Sequence, residues 1–175
     1  MSSIELDGSH TPTKRGGQQV GYQGRKKSNT TNALFLTDKN GLPIAMSEPI
    51  AGNHNDLFDI ENVFQKMVED MHSVGINPNG LFMNADAGFD SHSLRKMCEG
   101  HGIIANIDFT KRNSKTAEYE YLLDDKLYKE RFSVARTNAW IDAFKSLLVR
   151  FETKSETWDI LDNLAFCLIL LKDKI

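Results

Sequence analysis

At 175 residues, with 40% apolar residues and a formal net charge of −3, the chain has the size and apolar content of one ordinary domain with a core. The charge balance excludes a uniformly basic nucleic-acid binder. Two distant cysteines, Cys98 and Cys167, exclude a disulfide scaffold or a zinc ribbon, and the apolar run Leu164 to Leu171 is too short for the roughly 20 residues that cross a bilayer.

Ile4 and Leu6 alternate with Ser3 and Glu5, which predicts a short first strand ending at Asp7. Thr11 to Lys27 is rich in Gly, Gln and basic residues and reads as an exposed loop able to meet phosphate. Between Met1 and Thr30 stand Lys14, Arg15, Arg25, Lys26 and Lys27, against only Glu5 and Asp7; such a local cluster matters more for phosphate than the net charge does. Asn29 to Asp38 predicts a second strand, Asn40-Gly41 a hairpin turn, and Leu42 to Met46 a third strand pushed to a sheet edge by Pro43 and Pro49. Asp56 to Val74 predicts a helix from Leu57, Ile60, Val63, Phe64, Met67, Val68 and Met71, with Asp56, Asp59 and Glu61 in its first turns and Gly75 as its stop.

Gly80 to Ala85 predicts a fourth strand ending at Asp86, Ser91 to Gly100 a short helix capped by Asp90 or Ser91, and Ile103 to Ile107 a fifth strand. Lys111 to Lys126 is polar and weakly patterned. Ser133 to Glu152 predicts one long amphipathic helix. A capping box at Thr153 and Glu156 opens a last helix carrying Trp158, Leu161, Leu164, Ala165, Leu168, Ile169 and Leu171. The order βββαβαβαα predicts an α/β domain with a mixed five-stranded sheet flanked by helices.

Asp7 and Asp86 each close an apolar strand. Side by side, two such carboxylates repel, and a divalent cation relieves the repulsion by taking both as ligands. Turn formation is the competing reading, because Asp often starts turns. Trp140, Trp158, Met67 and Met71 sit at core-facing helical positions and need no cofactor to explain them.

Four segments carry a resemblance. Asp7-Gly8-Ser9-His10-Thr11-Pro12-Thr13-Lys14-Arg15-Gly16-Gly17 resembles the first catalytic segment of the DDE transposases encoded by bacterial insertion sequences. Gly52-Asn53-His54-Asn55-Asp56 is similar to that family's motif after the third strand, and Asn84-Ala85-Asp86-Ala87-Gly88-Phe89-Asp90 to its second catalytic segment. Tyr128-Lys129-Glu130-Arg131-Phe132-Ser133-Val134-Ala135-Arg136-Thr137-Asn138-Ala139-Trp140 resembles its third. The resemblance implies a ribonuclease H-like fold, Mg²⁺ (or Mn²⁺) as cofactor, and DNA as partner, cut and joined at transposon ends. It implies Asp7 and Asp86 as the first two metal-binding acids. His10, Lys14, Arg15, Arg25, Lys26, Lys27, Tyr128, Arg131 and Arg136 become DNA-contacting candidates. A homodimer on DNA, in the bacterial cytoplasm at the nucleoid, with no membrane association, is the matching expectation.

Two departures stand out. The family's third acid, a glutamate, falls on Ala135, which offers a metal no oxygen. Glu130 lies roughly 140° around a helix from it and Asp142 about 10 Å along the axis, so neither is a simple substitute. Asp90 is the remaining carboxylate near the second segment. Only six residues precede Asp7, where such transposases carry a helical DNA-binding region, so an N-terminal partner polypeptide or a longer parent chain is expected. The resulting expectation is a transposase core that binds DNA, holds a metal ion weakly and turns over poorly. A decayed or domesticated binding domain and a nuclease without strand transfer are its rivals.

Overall fold

The computed structural model describes residues 2–109 and 123–172. A mixed sheet runs β2-β3-β1-β6-β7, formed by β1 (Ser3–Pro12), β2 (Gly21–Gln23), β3 (Ser28–Asp38), β6 (Phe82–Ala85) and β7 (Ile104–Ile107). Two short strands, β4 (Pro43–Met46) and β5 (Ile50–Ala51), add to β3. β1 is antiparallel to β3 and parallel to β6, and β6 is parallel to β7. The ribonuclease H-like arrangement expected from the sequence is present, with β2 as an addition inside what reads as a loop. β2 has only three residues, too few to show an alternation, and it forms because β3 offers it an edge.

Strand alternation sends Ile4, Leu6, Leu34, Leu36, Met83, Ala85 and Ile107 to one face, under α1 (Ile60–Ser73) and α2 (His92–Gly100). On the other face Ala33 and Phe35 pack against α4 (Val134–Asp142), α5 (Lys145–Leu148) and α6 (Ser155–Lys172) through Ile141, Leu147, Trp158 and Phe166. The long helix expected from Ser133 to Glu152 is broken. A 3₁₀ turn occupies Lys129–Ser133, Phe144 is extended, and Arg150 bonds in parallel with Thr13 at the end of β1. Returning the chain to that strand end requires the break.

α1 begins four residues after the predicted start, because Asp59 adopts a left-handed φ of +51° and the helix can only follow it. Asp56 therefore lies outside the helix and is available to the sheet. In α6 only one side is core: Trp158, Ala165, Phe166 and Ile169 are buried, whereas Leu164, Leu168 and Leu171 are exposed. Apolar residues all round this helix hide its buried stripe from a periodicity reading. Most of the polar stretch 111–126 lies outside the described residues; its end forms α3 (Asp125–Tyr128).

Candidate active site

Pairing register builds the site. Leu6 on β1 is paired with Ala85 on β6, and Ala85 with Ile107 on β7. One residue further along each strand come Asp7, Asp86 and Asp108, all turned to the face opposite the Leu6 core. Adjacent strands are about 4.8 Å apart, so Asp7 and Asp86 stand one spacing apart and Asp108 a further spacing beyond Asp86. Asp86 is extended (φ −72°, ψ 167°), so it continues the strand's alternation before the 3₁₀ turn at Ala87–Phe89.

Immediately beneath this row lies a buried polar ladder. Glu5 Oε1 accepts from Ser3 Oγ (3.1 Å) and from Asn84 Nδ2 (3.2 Å). Asn84 Oδ1 accepts from Asn106 Nδ2 (2.6 Å), and Asn106 is bound at both ends to the backbone of Asp124 (2.8 and 3.1 Å). Glu5, Asn84 and Asn106 are essentially solvent-free. The cross-strand bonds lock the register of the three strands, since a slip by one residue would leave these polar groups facing apolar side chains.

Three tripeptides encode this double row: Glu5-Leu6-Asp7, Asn84-Ala85-Asp86 and Asn106-Ile107-Asp108. Each reads polar, apolar, Asp. The third is absent from the sites expected from the sequence, although its repetition of the second is the signal that finds it. Asp108 Oδ1 accepts from Phe109 N (2.7 Å). Its strand end is braced by Arg95, which donates to the Ile107 carbonyl (2.8 Å) and forms a buried ion pair with Asp90 (2.9 Å). Asp90 is thereby committed to Arg95. Ser91, whose Oγ accepts from Leu94 N, caps α2.

The first strand does not end at Asp7 as expected but runs on to Pro12 along β3, so Asp7 sits in mid-strand and Asp86 just past β6; both are held by short backbone bonds. Asp7 Oδ1 accepts from Gly8 N (2.9 Å) and Asp86 Oδ1 from Gly88 N (2.7 Å), so the turn role coexists with a place in the row. Asp7 is half-buried and Asp86 exposed. Ala135 is the second residue of α4 and is exposed. The buried side of α4 is set by Val134, Thr137 and Ile141. Arg136 Nη1 donates to the Asn40 carbonyl (3.0 Å) in the turn between β3 and β4, and Thr137 Oγ1 donates to the Gly41 carbonyl. At 100° per residue, Ala135 lies about 100° from Arg136, on the exposed side of α4. The 3₁₀ turn before it packs against β1 and β6. Tyr128 ends α3 and is half-buried; the side chains of Glu130 and Arg131 fall outside the described part of the structure. Asp142, the last residue of α4, is exposed.

On the opposite face, above the end of the core, Asp56 fills the space a side chain at position 8 would take. A Cβ on Gly8 would stand 2.4 Å from Asp56 Oδ1, the same oxygen that accepts from Asn32 Nδ2 (2.7 Å). His10 Nδ1 lies 3.1 Å from Thr30 Oγ1, and Gln23 Nε2 approaches His10 Nε2 (3.4 Å). Burial lowers the His10 pKa; Asp56, 3.9 Å away, opposes this, and Lys26 and Arg25 add to it. The Gln23 donor and the Thr30 hydroxyl assign a neutral ring protonated on Nδ1. His10 thus ties β1, β2 and β3 together. His54 stacks on Phe58 (centroids 3.7 Å apart).

Both halves of the basic cluster meet at one end of the sheet. Thr13 N donates to the Asn29 carbonyl (2.9 Å), so Lys14 and Arg15 leave β1 beside the point where Lys27 enters β3. Lys14, Arg15, Arg25, Lys26 and Lys27 are all exposed, and Lys26 Nζ donates to the His10 carbonyl (2.6 Å). Arg136, engaged with the hairpin, stands apart from this cluster.

Asp7 and Asp86 offer hard carboxylate oxygens, the donor chemistry that suits a hard divalent cation. Among the described residues no three His, Cys, Asp or Glu side chains gather closely enough to hold an ion. The Ala135 side chain has no oxygen to offer such a cation. Among the described residues no helix is long and apolar enough to cross a membrane. No curated protein matches the sequence. The family model described as DDE superfamily endonuclease matches residues 6–172, a span that takes in the whole acid row, both helical layers and Ala135, and the chain belongs to that family.

Proposed function

We propose that this domain is the catalytic core of an insertion-sequence DNA transposase in which Ala135 replaces the third metal-binding acid, leaving a DNA-binding domain with little or no catalytic turnover. One observation carries the reading: Asp7 and Asp86 share a face on adjacent parallel strands, while the exposed second residue of α4 is an alanine. Asp7 and Asp86 would hold Mg²⁺ or Mn²⁺, which supplies charge stabilisation for phosphodiester cleavage when bound. The residues of the chain do the rest. The Glu5–Asn84–Asn106 ladder fixes the row, the Gly8 and Gly88 N–H groups orient its two carboxylates, and the basic end of the sheet meets the phosphates.

Ala135 also favours a second reading, a domain retained only for binding DNA. One experiment separates the two and tests both. A supercoiled plasmid carrying the element's ends is incubated in Mg²⁺ or Mn²⁺ with the unmodified chain, with Ala135→Glu, and with Ala135→Glu combined with Asp86→Asn. The expected result is no more than trace nicking by the unmodified chain and a gain with Ala135→Glu that Asp86→Asn removes. Absence of a gain, with DNA binding intact, favours the binding-only reading. Robust nicking by the unmodified chain that disappears with Asp86→Asn overturns the claim of catalytic deficiency.

A further inference from the structure

The turn between β2 and β3 has features that a solvated loop lacks. Its base is fixed on three sides. Gln23 Nε2 donates to the Gly52 carbonyl (3.3 Å), Thr31 Oγ1 donates to the Gln19 carbonyl (2.7 Å), and Gln18 N donates to the Thr153 carbonyl (2.8 Å). Gly21 lies so close to Asn53 that a Cβ there would stand 2.7 Å from its backbone nitrogen. Lys27 is held at φ +49°, a left-handed conformation unusual for a side-chain-bearing residue. Within this anchored arm Tyr22 is 60% exposed, and its β3 partner is the exposed Asn29. Asn29, Thr31, Ala33 and Phe35 alternate onto one face, and Phe35 is the partner of Asp7, so Tyr22 projects on the face that carries the acid row. Arg25, Lys26 and Lys27 follow it in the turn after Gln23 and Gly24.

An exposed aromatic ring and three exposed cations on one anchored hairpin match the two requirements of a nucleic-acid contact, a π-face for a base or sugar and charges for phosphates. We propose that this hairpin is a DNA-contacting arm in which Tyr22 supplies a stacking contact through its ring while Arg25, Lys26 and Lys27 neutralise phosphates. Six residue steps along β3 lead from Asn29 to Phe35, about 20 Å of strand, so on a duplex running along β3, at 3.4 Å per nucleotide, the arm lies about six nucleotides from the acid row. The proposal rests on the DNA-binding part of the function given above and adds to it a contact whose strength does not come from charge.

That distinction sets the test. Binding of a fluorescein-labelled 30-base-pair duplex is followed by anisotropy across a salt series for the unmodified chain, Tyr22→Ala, Tyr22→Phe, and the triple variant Arg25→Gln, Lys26→Gln, Lys27→Gln. Because Tyr22 is exposed, thermal melts should coincide for the first three. Tyr22→Ala should weaken binding about tenfold at every salt concentration with the salt slope unchanged. Tyr22→Phe should bind as the unmodified chain does. The triple variant should flatten the slope by up to about 2.7, roughly 0.9 for each phosphate no longer neutralised. Equal affinity of Tyr22→Ala and the unmodified chain overturns the stacking contact while leaving the wider DNA reading intact. Tyr22→Phe as weak as Tyr22→Ala also overturns it, since the hydroxyl and not the ring would then make the contact. No binding of DNA by the unmodified chain removes both readings together.

Discussion

Asp162 gives the sharpest quantitative expectation. It sits on the buried side of α6 at 3% exposure, beside Trp158 and Phe166. Burial pushes its carboxyl up to about 7; Asp159 and Glu152 push the same way, and Arg150 pulls against them. The unfolded chain releases this proton near the ordinary 3.8, so between about pH 4 and pH 7 the folded state binds a proton that the unfolded state has lost. Stability from this group is therefore greatest below the unfolded value, falls as pH rises toward about 7, and is flat above it. A difference of about three pH units at 1.36 kcal/mol each gives at most about 4 kcal/mol. Asp162→Asn removes the titration without changing the shape of the site. At pH 5, about 1.2 pH units above the unfolded value, the variant should lead by only about 1.6 kcal/mol. At pH 8 the variant should be more stable by up to about 4 kcal/mol, a Tm gap on the order of 10 °C for a chain of this size. The measurement is a pair of thermal melts at each pH, and comparing the two proteins cancels every other titrating group. A Tm gap equal at both pH values would refute the reasoning and place Asp162 in contact with water.

Other expectations test the site and its supports. Ala135→Glu should tighten Mn²⁺ binding by about tenfold in calorimetry, since a third carboxylate adds both charge and a ligand; identical affinities would remove position 135 from the site. Gly41→Ala should cost about 2–4 kcal/mol in a denaturant melt, because Gly41 is at φ +82° and a Cβ would stand 2.6 Å from the Ser133 carbonyl oxygen at the start of α4. A loss under 1 kcal/mol would mean that α4 moves freely on the hairpin. His10, with its pKa lowered by burial, should cost stability as pH falls below about 6.5, where the unfolded chain gains the proton first. The pH dependence should shrink in His10→Gln, and an unchanged profile would place that ring in water.

The apolar pattern was legible in the sequence because strands β1, β3, β6 and β7 alternate or run apolar over lengths that a helix does not use, and the helix signals of α1 and α2 are well spaced. Elements set by long-range pairing were not. β2 exists only against β3, and the break after α4 exists because Arg150 must reach the end of β1, donating to the Pro12 carbonyl and accepting from Lys14 N. Neither partner is near in sequence. Asp56 reads as a helix-start acid, yet a left-handed Asp59 releases it to Gly8 and Asn32. Asp86 was legible as a strand end, but β1 runs on past Asp7 to Pro12 because β3 pairs with it as far as Thr30. The buried ladder of Glu5, Asn84 and Asn106 was not legible, since polar residues inside short strands resemble solvent-facing positions until the register is known.

The same geometry shows that the fold does not depend on the side chain at position 135. The bonds that seat α4 come from its neighbours: Ser133 Oγ to the Asp38 carbonyl, Arg136 to Asn40 and Thr137 to Gly41. Ala135 itself is exposed and makes none of them. Alanine is the best helix former, so it favours the first turn of α4 more than a glutamate does through propensity alone. On the proposed reading, a glutamate there would also add a third negative charge beside Asp7 and Asp86, a repulsion that only a bound cation removes. Catalytic competence at this position therefore opposes stability, as it often does where like charges are gathered for chemistry. The intact ladder, the anchored hairpin and the seated helix are each independent of the side chain at position 135.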